Sequence, residues 1–227
     1  MRIAIITARG GSKRIPGKNI KIFCGKPIIA YSIEAAKSSG VFEEVMVSTD
    51  SEKIAGIALE YGASVPFFRS EETSNDYATT ADVIVEVLDK YKSMGLEYDS
   101  FACIYPTAPF LTSEDLKDAI CLLDGSDAVL SVVKYSFPPQ RAFLIRDGKV
   151  AYQYPEYERV RSQDLEPIYH DCGQFYMCKC SSFFRYSSLI LPTTKPYILP
   201  EEKVQDIDTM SDWILAEAKY KALHDGK

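Results

Sequence analysis

Short apolar runs alternate with helical repeats over the first 134 residues of the chain. The runs predict buried strands at residues 3–7, 45–48, 65–68, 101–105 and 128–133. Between them, apolar residues recur at spacings of three and four, which predicts amphipathic helices. Pro66 makes the third run a short strand or an edge strand. Strand–helix alternation of this kind predicts an α/β fold with a doubly wound, mainly parallel sheet.

Helix boundaries carry signals of their own. Asp50 is expected to cap the second helix, and Thr112 with Asp115 resembles a capping box before the helix that follows residues 101–105. Near the carboxyl terminus, Thr209 and Asp212 are expected to cap a final helix with Trp213 on its apolar face. In such sheets, ligands bind outside the carboxyl ends of the strands.

Residues 134–203 have a different pattern, rich in Tyr, Phe and Pro and without long helical periodicity. We predict that they form strands and loops inserted between the sheet and the final helix. This inserted lobe would either cover the site or serve as a dimerisation arm. The whole chain, residues 1–227, is expected to form a single domain.

Composition restricts the class of protein. A chain of 227 residues that is 46% hydrophobic and 26% charged is neither disordered, collagen-like nor a coiled coil. No apolar run approaches the ~20 residues of a membrane span, and the run at residues 3–6 is too short for a secretion signal. The six cysteines include no C-x-x-C pair, which favours free thiols over a zinc site. A cytoplasmic protein is therefore expected.

Charge is concentrated at the amino terminus. The first 26 residues hold seven bases and no acid, although the whole chain carries a net charge of −6. Most of these bases lie in the loop after the first strand, residues 7–19, where Gly10 and Gly11 let the backbone approach a ligand. Such a loop suits a polyphosphate. It is not a Walker A loop, because Gly11 and Gly17 are separated by five residues rather than four. Asn19 also stands where that motif has the Ser or Thr that holds magnesium.

Two other interpretations of the basic loop remain open at this point. Charge runs are often only solvated surface, and a basic stretch is also compatible with nucleic-acid binding. One loop in a chain of pI about 5.1 is a weak nucleic-acid footprint.

A pair of carboxylates, Asp206 and Asp208, lies just before the final helix. Spaced by two residues on an extended segment, they point to the same side. Mg²⁺ favours a few carboxylates together with phosphate oxygens, so the pair is a candidate metal site. The alternative is that Asp208 only marks the start of the helix. The basic loop favours the metal site, because a triphosphate site usually includes a metal ion.

The segment 159–176 packs polar and aromatic groups closely together. Arg159 or Arg161 would suit a sugar carboxylate, and Gln and Tyr side chains would suit its hydroxyls. His170 beside Asp171 is interpreted as a hydrogen-bonded loop pair rather than an acid–base dyad, because no nucleophile accompanies it.

The motifs together resemble a known family. The loop A-R-G-G-S-K-R-I-P-G-K-N at residues 8–19 is similar to the signature of the cytidylyltransferases that activate sialic-acid-like sugars. The resemblance continues through V-S-T-D (47–50), R-S-E-E (69–72), N-D-Y-A-T-T (75–80), Y-P-T-A-P (105–109) and D-I-D-T (206–209). R-S-Q-D-L-E-P (161–167) and G-Q-F-Y (173–176) resemble the branch of the family that acts on pseudaminic acid.

The resemblance implies a Rossmann-like nucleotidyltransferase fold with a dimerisation lobe, a homodimer, CTP and a nonulosonic acid as substrates, and Mg²⁺ as cofactor. It also implies roles for individual residues. Catalysis would involve Arg9, Lys18 and Asp208, and the metal would bind Asp206 and Asp208. The residues expected to contact the nucleotide are Ala8, Arg9, Gly10, Gly11, Ser12, Lys18, Asn19, Arg69, Ala78 and Thr80. The residues expected to contact the sugar are Tyr105, Arg161, Gln163, Gln174 and Tyr176, and Arg141 would reach the sugar across a dimer.

One departure from the family bears on the sugar. Sialic acid synthetases commonly read Q-P-T-S-P-L-R where this chain reads Y-P-T-A-P-F-L at residues 105–111. Tyr105 and Leu111 replace an amide and a cation, which favours a less polar deoxy sugar such as pseudaminic acid over N-acetylneuraminic acid. Legionaminic, N-acetylneuraminic and octulosonic acids remain alternative substrates, and an RNA- or nucleotide-binding module without chemistry remains the alternative outside the class.

Overall fold

The computed structural model describes residues 1–224, and a six-stranded sheet lies at its centre. Its strands run in the order β10-β6-β9-β5-β1-β4, and the pairs β1–β4, β1–β5 and β6–β10 are parallel. Strand β9 is antiparallel to both of its neighbours. The strands are β1 (Arg2–Thr7), β2 (Ile22–Phe23), β3 (Lys26–Pro27), β4 (Glu44–Ser48), β5 (Ser100–Ile104), β6 (Ala128–Lys134), β7 (Phe143–Arg146), β8 (Lys149–Tyr152), β9 (Tyr169–Lys179) and β10 (Lys195–Leu199).

Helices cover both faces of this sheet. They are α1 (Ile28–Ser39), α2 (Glu52–Glu60), α3 (Glu71–Ser74), α4 (Thr80–Ser93), α5 (Ser113–Leu123), α6 (Cys180–Tyr186) and α7 (Met210–His224). Short 3-10 turns lie at Lys18–Ile20, Pro139–Arg141, Pro155–Tyr157, Ser162–Asp164 and Glu201–Lys203. No helix within residues 1–224 is long and apolar enough to cross a membrane.

Strand β1 shows why the core forms on both faces. Its residues Ala4 and Ile6 belong to a buried cluster with α1, α2 and α5, whereas Ile3 and Ile5 belong to one with α4 and α6. Successive strand residues point to opposite faces, so an uninterrupted apolar run is what a two-sided core requires. The predicted doubly wound, mainly parallel α/β class is confirmed.

Two local expectations differ from the structure. Residues 65–68 form no strand; the pairing is limited to one bridge between Met46 and Ser64, in keeping with the missing amide hydrogen of Pro66. Asp50 does not cap α2, because Ser51 occupies the N-cap position and the Asp50 carboxylate binds elsewhere. The capping box of Thr112 with Asp115 is present at α5.

The lobe expected at residues 134–203 has narrower limits in the structure. Strands β9 and β10, which lie within that range, belong to the central sheet. The chain between β6 and β9 leaves the sheet and carries the separate hairpin β7–β8. The outward face of this hairpin is apolar, since Phe143, Ile145 and Val150 are 56%, 76% and 64% exposed.

Candidate functional site

The basic loop follows β1 and is held in place by two side chains. The Asp50 carboxylate accepts a 2.7 Å hydrogen bond from the Gly10 backbone N–H, and the buried Asn19 amide donates to the Arg9 carbonyl at 2.9 Å. A side chain at position 10 would place its Cβ 3.1 Å from the Ser51 Cβ, so only glycine fits there without displacement. A Cβ at Gly11 would meet no atom within 4 Å, so packing does not require that glycine.

A cavity of about 460 Å³ opens above this loop, at the carboxyl ends of β1 and β5. It brings together residues from distant parts of the chain, as expected for the carboxyl edge of a parallel sheet. Its lining consists of Thr7, Arg9, Ser12, Lys13, Arg14, Ile15, Lys18, Asn19, Asp76, Tyr105, Pro106, Thr107 and Asp208. Ala8 is fully buried and is not among them, and its backbone N–H donates to the Ser48 carbonyl at 2.9 Å.

Lys18 joins the basic loop to the carboxylate pair. Its ammonium donates to the Ile207 carbonyl at 2.7 Å and lies 3.5 Å from the Asp208 carboxylate. Arg14 pairs with the same carboxylate at 2.9 Å. Two segments almost 200 residues apart in sequence therefore form one charged wall of the cavity.

Asp206 and Asp208 are close enough to influence each other. Partial burial and the neighbouring charge of Asp208 raise the pKa of Asp206. Residues 1–224 contain no group of three or more His, Cys, Asp or Glu side chains arranged to hold a metal. A pair of carboxylates nevertheless fits a magnesium-like ion, because such an ion takes one or two carboxylates and completes its shell with phosphate oxygens and water.

Asp76 is a site residue that was not predicted from the sequence. Its carboxylate accepts a 2.8 Å hydrogen bond from Arg9 and a 2.5 Å hydrogen bond from Lys13, and these bonds lower the pKa of Asp76. The Asp76 carboxylate is thus paired with two cations, Arg9 and Lys13, that would otherwise bind a polyphosphate. No local signal marks it, because the partners lie 63 and 67 residues apart along the chain.

A smaller cavity of about 200 Å³ adjoins the larger one and shares Thr7, Arg9 and Asp76 with it. It contains Arg69, Ala78 and Thr80, for which the family resemblance implies contact with the nucleotide. This pocket is enclosed by α3, α4 and the end of β1.

Arg69 is 9% exposed and donates to the hydroxyl and the carbonyl of Ser48, at 3.1 and 2.7 Å. Burial lowers the pKa of Arg69, and the charges of Asp50 and Glu86 oppose that shift. The guanidinium is thus fixed against β4, on the wall of the smaller cavity.

Glu86 organises the segment that carries Arg69. From α4, its carboxylate accepts hydrogen bonds from the Ser70 N–H at 2.8 Å and from the hydroxyls of Ser70 and Thr73, and it pairs with Lys90 at 2.5 Å. Four donors converge on one side chain that is 13% exposed. Glu86 thereby holds the turn after Arg69 against α4.

Tyr105 is the aromatic residue that lines the larger cavity, and Tyr176 lies next to it in the sheet. Tyr105 follows β5 and lines the cavity, and its ring centroid lies 6.1 Å from that of Tyr176 on the neighbouring strand β9. Gln174 is buried, and its side-chain amide donates to the Lys203 carbonyl at 2.7 Å. Leu111, which was expected near the sugar pocket, packs into the hydrophobic core instead.

Three further residues with a predicted role lie outside the cavity in the single chain. Arg161 is 71% exposed and pairs with Asp164 at 2.7 Å, and Gln163 is exposed beside it. Arg141 donates to the Val160 carbonyl at 2.8 Å within the excursion between β6 and β9. The structure therefore brings Arg9, Ser12, Lys18, Asn19 and Asp208 to the larger cavity and Arg69, Ala78 and Thr80 to the smaller one. The other residues with a predicted nucleotide, metal or distant sugar role line neither cavity: Ala8, Gly10, Gly11, Asp206, Arg141, Arg161 and Gln163.

Comparison with known proteins agrees with this geometry. Residues 3–197 match the profile of the cytidylyltransferase family. The pseudaminic acid cytidylyltransferase of Campylobacter jejuni is 40% identical over 98% of this chain and 97% of its own length. The CMP-N,N'-diacetyllegionaminic acid synthase of Legionella pneumophila is 38% identical over 96% of this chain and 95% of its own. A solved CMP:2-keto-3-deoxy-manno-octonic acid synthetase complexed with CTP shares the fold, with a TM-score of 0.70 at 17% identity and 99% coverage of both chains.

Proposed function

The chain belongs to the cytidylyltransferase family, and on that premise we propose that it transfers CMP from CTP to the anomeric hydroxyl of pseudaminic acid, releasing pyrophosphate. It is a nucleotidyltransferase that uses CTP with a sugar acid. Pseudaminic acid is proposed as the sugar because the similarity to the Campylobacter jejuni relative extends over nearly the full length of both chains. A role in activating nonulosonic acids for surface glycans or flagellin follows from that substrate.

The observation that carries the reaction is the junction between Lys18 and the 206–208 segment. One cavity contains the cations of the loop, one of the two acids and Tyr105. A nucleoside triphosphate brings both the negative charge that the loop attracts and the oxygens that a metal on the acids would share. A nucleic-acid surface requires no such cavity lined by both cations and carboxylates.

Little covalent work falls to the protein in this reaction. The anomeric hydroxyl attacks the α-phosphorus in line, and pyrophosphate leaves with the charge of the broken bond. Arg9 and Lys18 would offset that charge. The loop backbone at Gly11 would hold the phosphates, because the N–H groups of Gly10 and Ser12 are already bonded to Asp50 and to the Gly10 carbonyl. Removal of one such contact costs about 3–4 kcal/mol of barrier.

The other nucleotide contacts are divided between the two cavities. Asn19, for which the resemblance implies contact with the nucleotide, lines the larger cavity, and its amide is bonded to the Arg9 carbonyl. In the smaller cavity, Arg69, Ala78 and Thr80 would surround the cytosine. The fixed guanidinium of Arg69 supplies donors suited to the cytosine carbonyl oxygen.

Cytidylyltransferases that use CTP generally need a divalent metal, and Mg²⁺ is proposed here. Asp206 and Asp208 would hold it, and when bound it neutralises phosphate charge and lowers the pKa of the attacking hydroxyl. Arg14 and Lys18 already contact Asp208, so they keep that carboxylate in position for the ion.

A homodimer is proposed as the working form. The apolar outward face of hairpin β7–β8 supports it, because Ile145 and Val150 are 76% and 64% exposed on the same hairpin. A partner's lobe would also bring Arg141 or Arg161 towards a sugar carboxylate. Light scattering of Ile145→Lys should give a monomer where the parent chain gives a dimer; a monomeric parent contradicts the proposal.

Pyrophosphate release tests the proposed reaction directly. Purified protein is incubated with CTP, Mg²⁺ and, separately, pseudaminic, legionaminic, N-acetylneuraminic and octulosonic acids. The highest kcat/KM should belong to pseudaminic acid. Preference for legionaminic acid would favour the alternative that the Legionella pneumophila relative suggests. Salt-sensitive RNA binding without any pyrophosphate release would refute the enzymatic assignment.

A further inference from the structure

Arg14 lies at the point where the basic loop meets the segment that carries the carboxylate pair. Ile15 of the loop and Ile207 of that segment are each 1% exposed and belong to the same buried cluster. Their burial brings the adjacent positions, Arg14 and Asp208, together at the larger cavity, which both side chains line. The family resemblance implies no role for Arg14, so its contact with Asp208 requires an explanation of its own.

The Arg14 guanidinium holds Asp208 by both carboxylate oxygens. Its two terminal nitrogens lie 2.9 Å from one oxygen each. This parallel, two-point arrangement is the strongest way in which a guanidinium binds a carboxylate, and it suits a phosphate equally well. The positive charge beside the carboxylate also repels a second cation. Arg14 therefore competes for Asp208 with any divalent ion that binds there.

Lys18 contacts the same carboxylate but has a second anchor. Its ammonium donates to the Ile207 carbonyl at 2.7 Å, and its side chain is only 20% exposed. The Arg14 side chain is 68% exposed, and within residues 1–224 its guanidinium makes no hydrogen bond or ion pair except with Asp208. When Asp208 takes another partner, Lys18 stays in place, whereas Arg14 is released into a cavity that already contains Arg9.

We propose that Arg14 is an exchangeable residue of the triphosphate site: it holds Asp208 until a divalent ion takes that carboxylate, and its guanidinium then binds a phosphate group of the nucleotide. The proposal rests on the proposed function. A guanidinium offers the same pair of donors to two phosphate oxygens as to two carboxylate oxygens, so the exchange preserves its hydrogen bonding.

The exchange couples the two ligands of the cavity. The metal ion releases the cation that the triphosphate needs, and the triphosphate draws away the cation that competes with the metal. Each ligand should therefore raise the affinity for the other, and by the same factor, because a coupling free energy between two sites is reciprocal. Removal of Arg14 should weaken this coupling and act in opposite directions on the two ligands.

Arg14→Gln tests both directions. Without nucleotide, the variant should bind Mn²⁺, the probe for the metal site, about three- to tenfold more tightly than the parent, because a competing cation is gone. The EPR signal of free Mn²⁺ measures this affinity. At saturating Mg²⁺ the KM for CTP should rise about tenfold, the size of one charge-assisted hydrogen bond, while the KM for the sugar stays within about twofold. A distorted loop would weaken the binding of both ligands instead.

Two further variants separate charge from shape. Arg14→Lys keeps the charge without the two-point geometry, so both its Mn²⁺ affinity and its KM for CTP should lie between those of the parent and of Arg14→Gln. Arg185→Gln removes the same side chain from an exposed position on α6 and should change neither value.

The proposal is overturned if Arg14→Gln binds Mn²⁺ no more tightly than the parent, if its KM for CTP is unchanged, or if Arg185→Gln reproduces both effects. A parent chain that releases no pyrophosphate from CTP with any sugar acid would instead refute the proposed function. The Mn²⁺ comparison needs no turnover, so the two failures are distinguishable.

Discussion

Replacing Glu86 by glutamine should destabilise the protein measurably, although the side chain keeps its size. The carboxylate is 13% exposed and accepts from Ser70, Thr73 and Lys90. Glutamine keeps one acceptor oxygen for the Ser70 N–H and Lys90, and its amide can donate to the hydroxyls of Ser70 and Thr73 once these rotate. What is lost is the negative charge, which strengthens all four hydrogen bonds and pairs with Lys90.

The magnitude follows from the pKa of Glu86. Burial raises this pKa, but the bonds from Lys90, Thr73 and Ser70 outweigh burial and lower it to about 2 from 4.5. That depression corresponds to roughly 3 kcal/mol. Solvent screens the pair with Lys90, which is 35% exposed, so we expect a loss of about 2 kcal/mol, or about 4–8 °C in Tm.

The sign of the pH dependence follows from the same shift. A carboxylate with a lowered folded-state pKa stabilises the protein fully above its unfolded pKa of about 4.5. That contribution is lost as the pH falls towards 2. The difference between the parent protein and Glu86→Gln should therefore be constant near neutrality and shrink below about pH 5.

Urea unfolding at a series of pH values measures this difference. Asp89→Asn is the matched control, because Asp89 lies on the same helix, is exposed, and loses the same charge. It should change the free energy of unfolding by less than about 0.5 kcal/mol. Equal stability of the parent and Glu86→Gln at pH 7, or a gap that does not narrow in acid, would refute the reasoning.

Three further substitutions test the site and the scaffold. Lys18→Ala should lower turnover by about two to three decades with unchanged circular dichroism, and near-normal pyrophosphate release would remove its role. Asp76→Asn should lower the KM for CTP several-fold, because the phosphates no longer displace a carboxylate from Arg9 and Lys13; an unchanged or higher KM contradicts this. Thr112→Ala removes the N-cap of α5 and should lower the free energy of unfolding in urea by about 1 kcal/mol, while kcat is retained. A fall in kcat would contradict this, because it would link the cap to the site.

The elements buried on both faces could be predicted from the sequence. Strand β1 and the helices with three- and four-residue apolar spacing were expected within a few residues of their observed bounds, because burial alone determines those patterns. Strand β9 was not foreseen as part of the central sheet. The bulge at residues 172–175 breaks its alternation, and its antiparallel place between β5 and β6 is set by tertiary pairing.

The site shows the same division between local and distant signals. The basic loop and the 206–208 pair are contiguous motifs, so their residue types alone indicate their chemistry. Asp76 and Glu86 act through partners that are distant or spread over several turns, and a carboxylate in a loop or on a helix is usually solvated surface. Only the folded arrangement distinguishes these two acids from the other acidic residues.

The charge asymmetry of the chain gains a structural explanation from these contacts. In the folded chain the cations of the amino-terminal loop are held by particular acids, Arg9 and Lys13 by Asp76, and Arg14 and Lys18 by Asp208. A surface that tracks a nucleic-acid backbone would instead spread its cations along an open face. Cations gathered around one cavity and neutralised by acids suit a compact anion that exchanges with those acids. A triphosphate has the charge to displace Asp76, and a metal bound with it would give Asp208 a new partner in return.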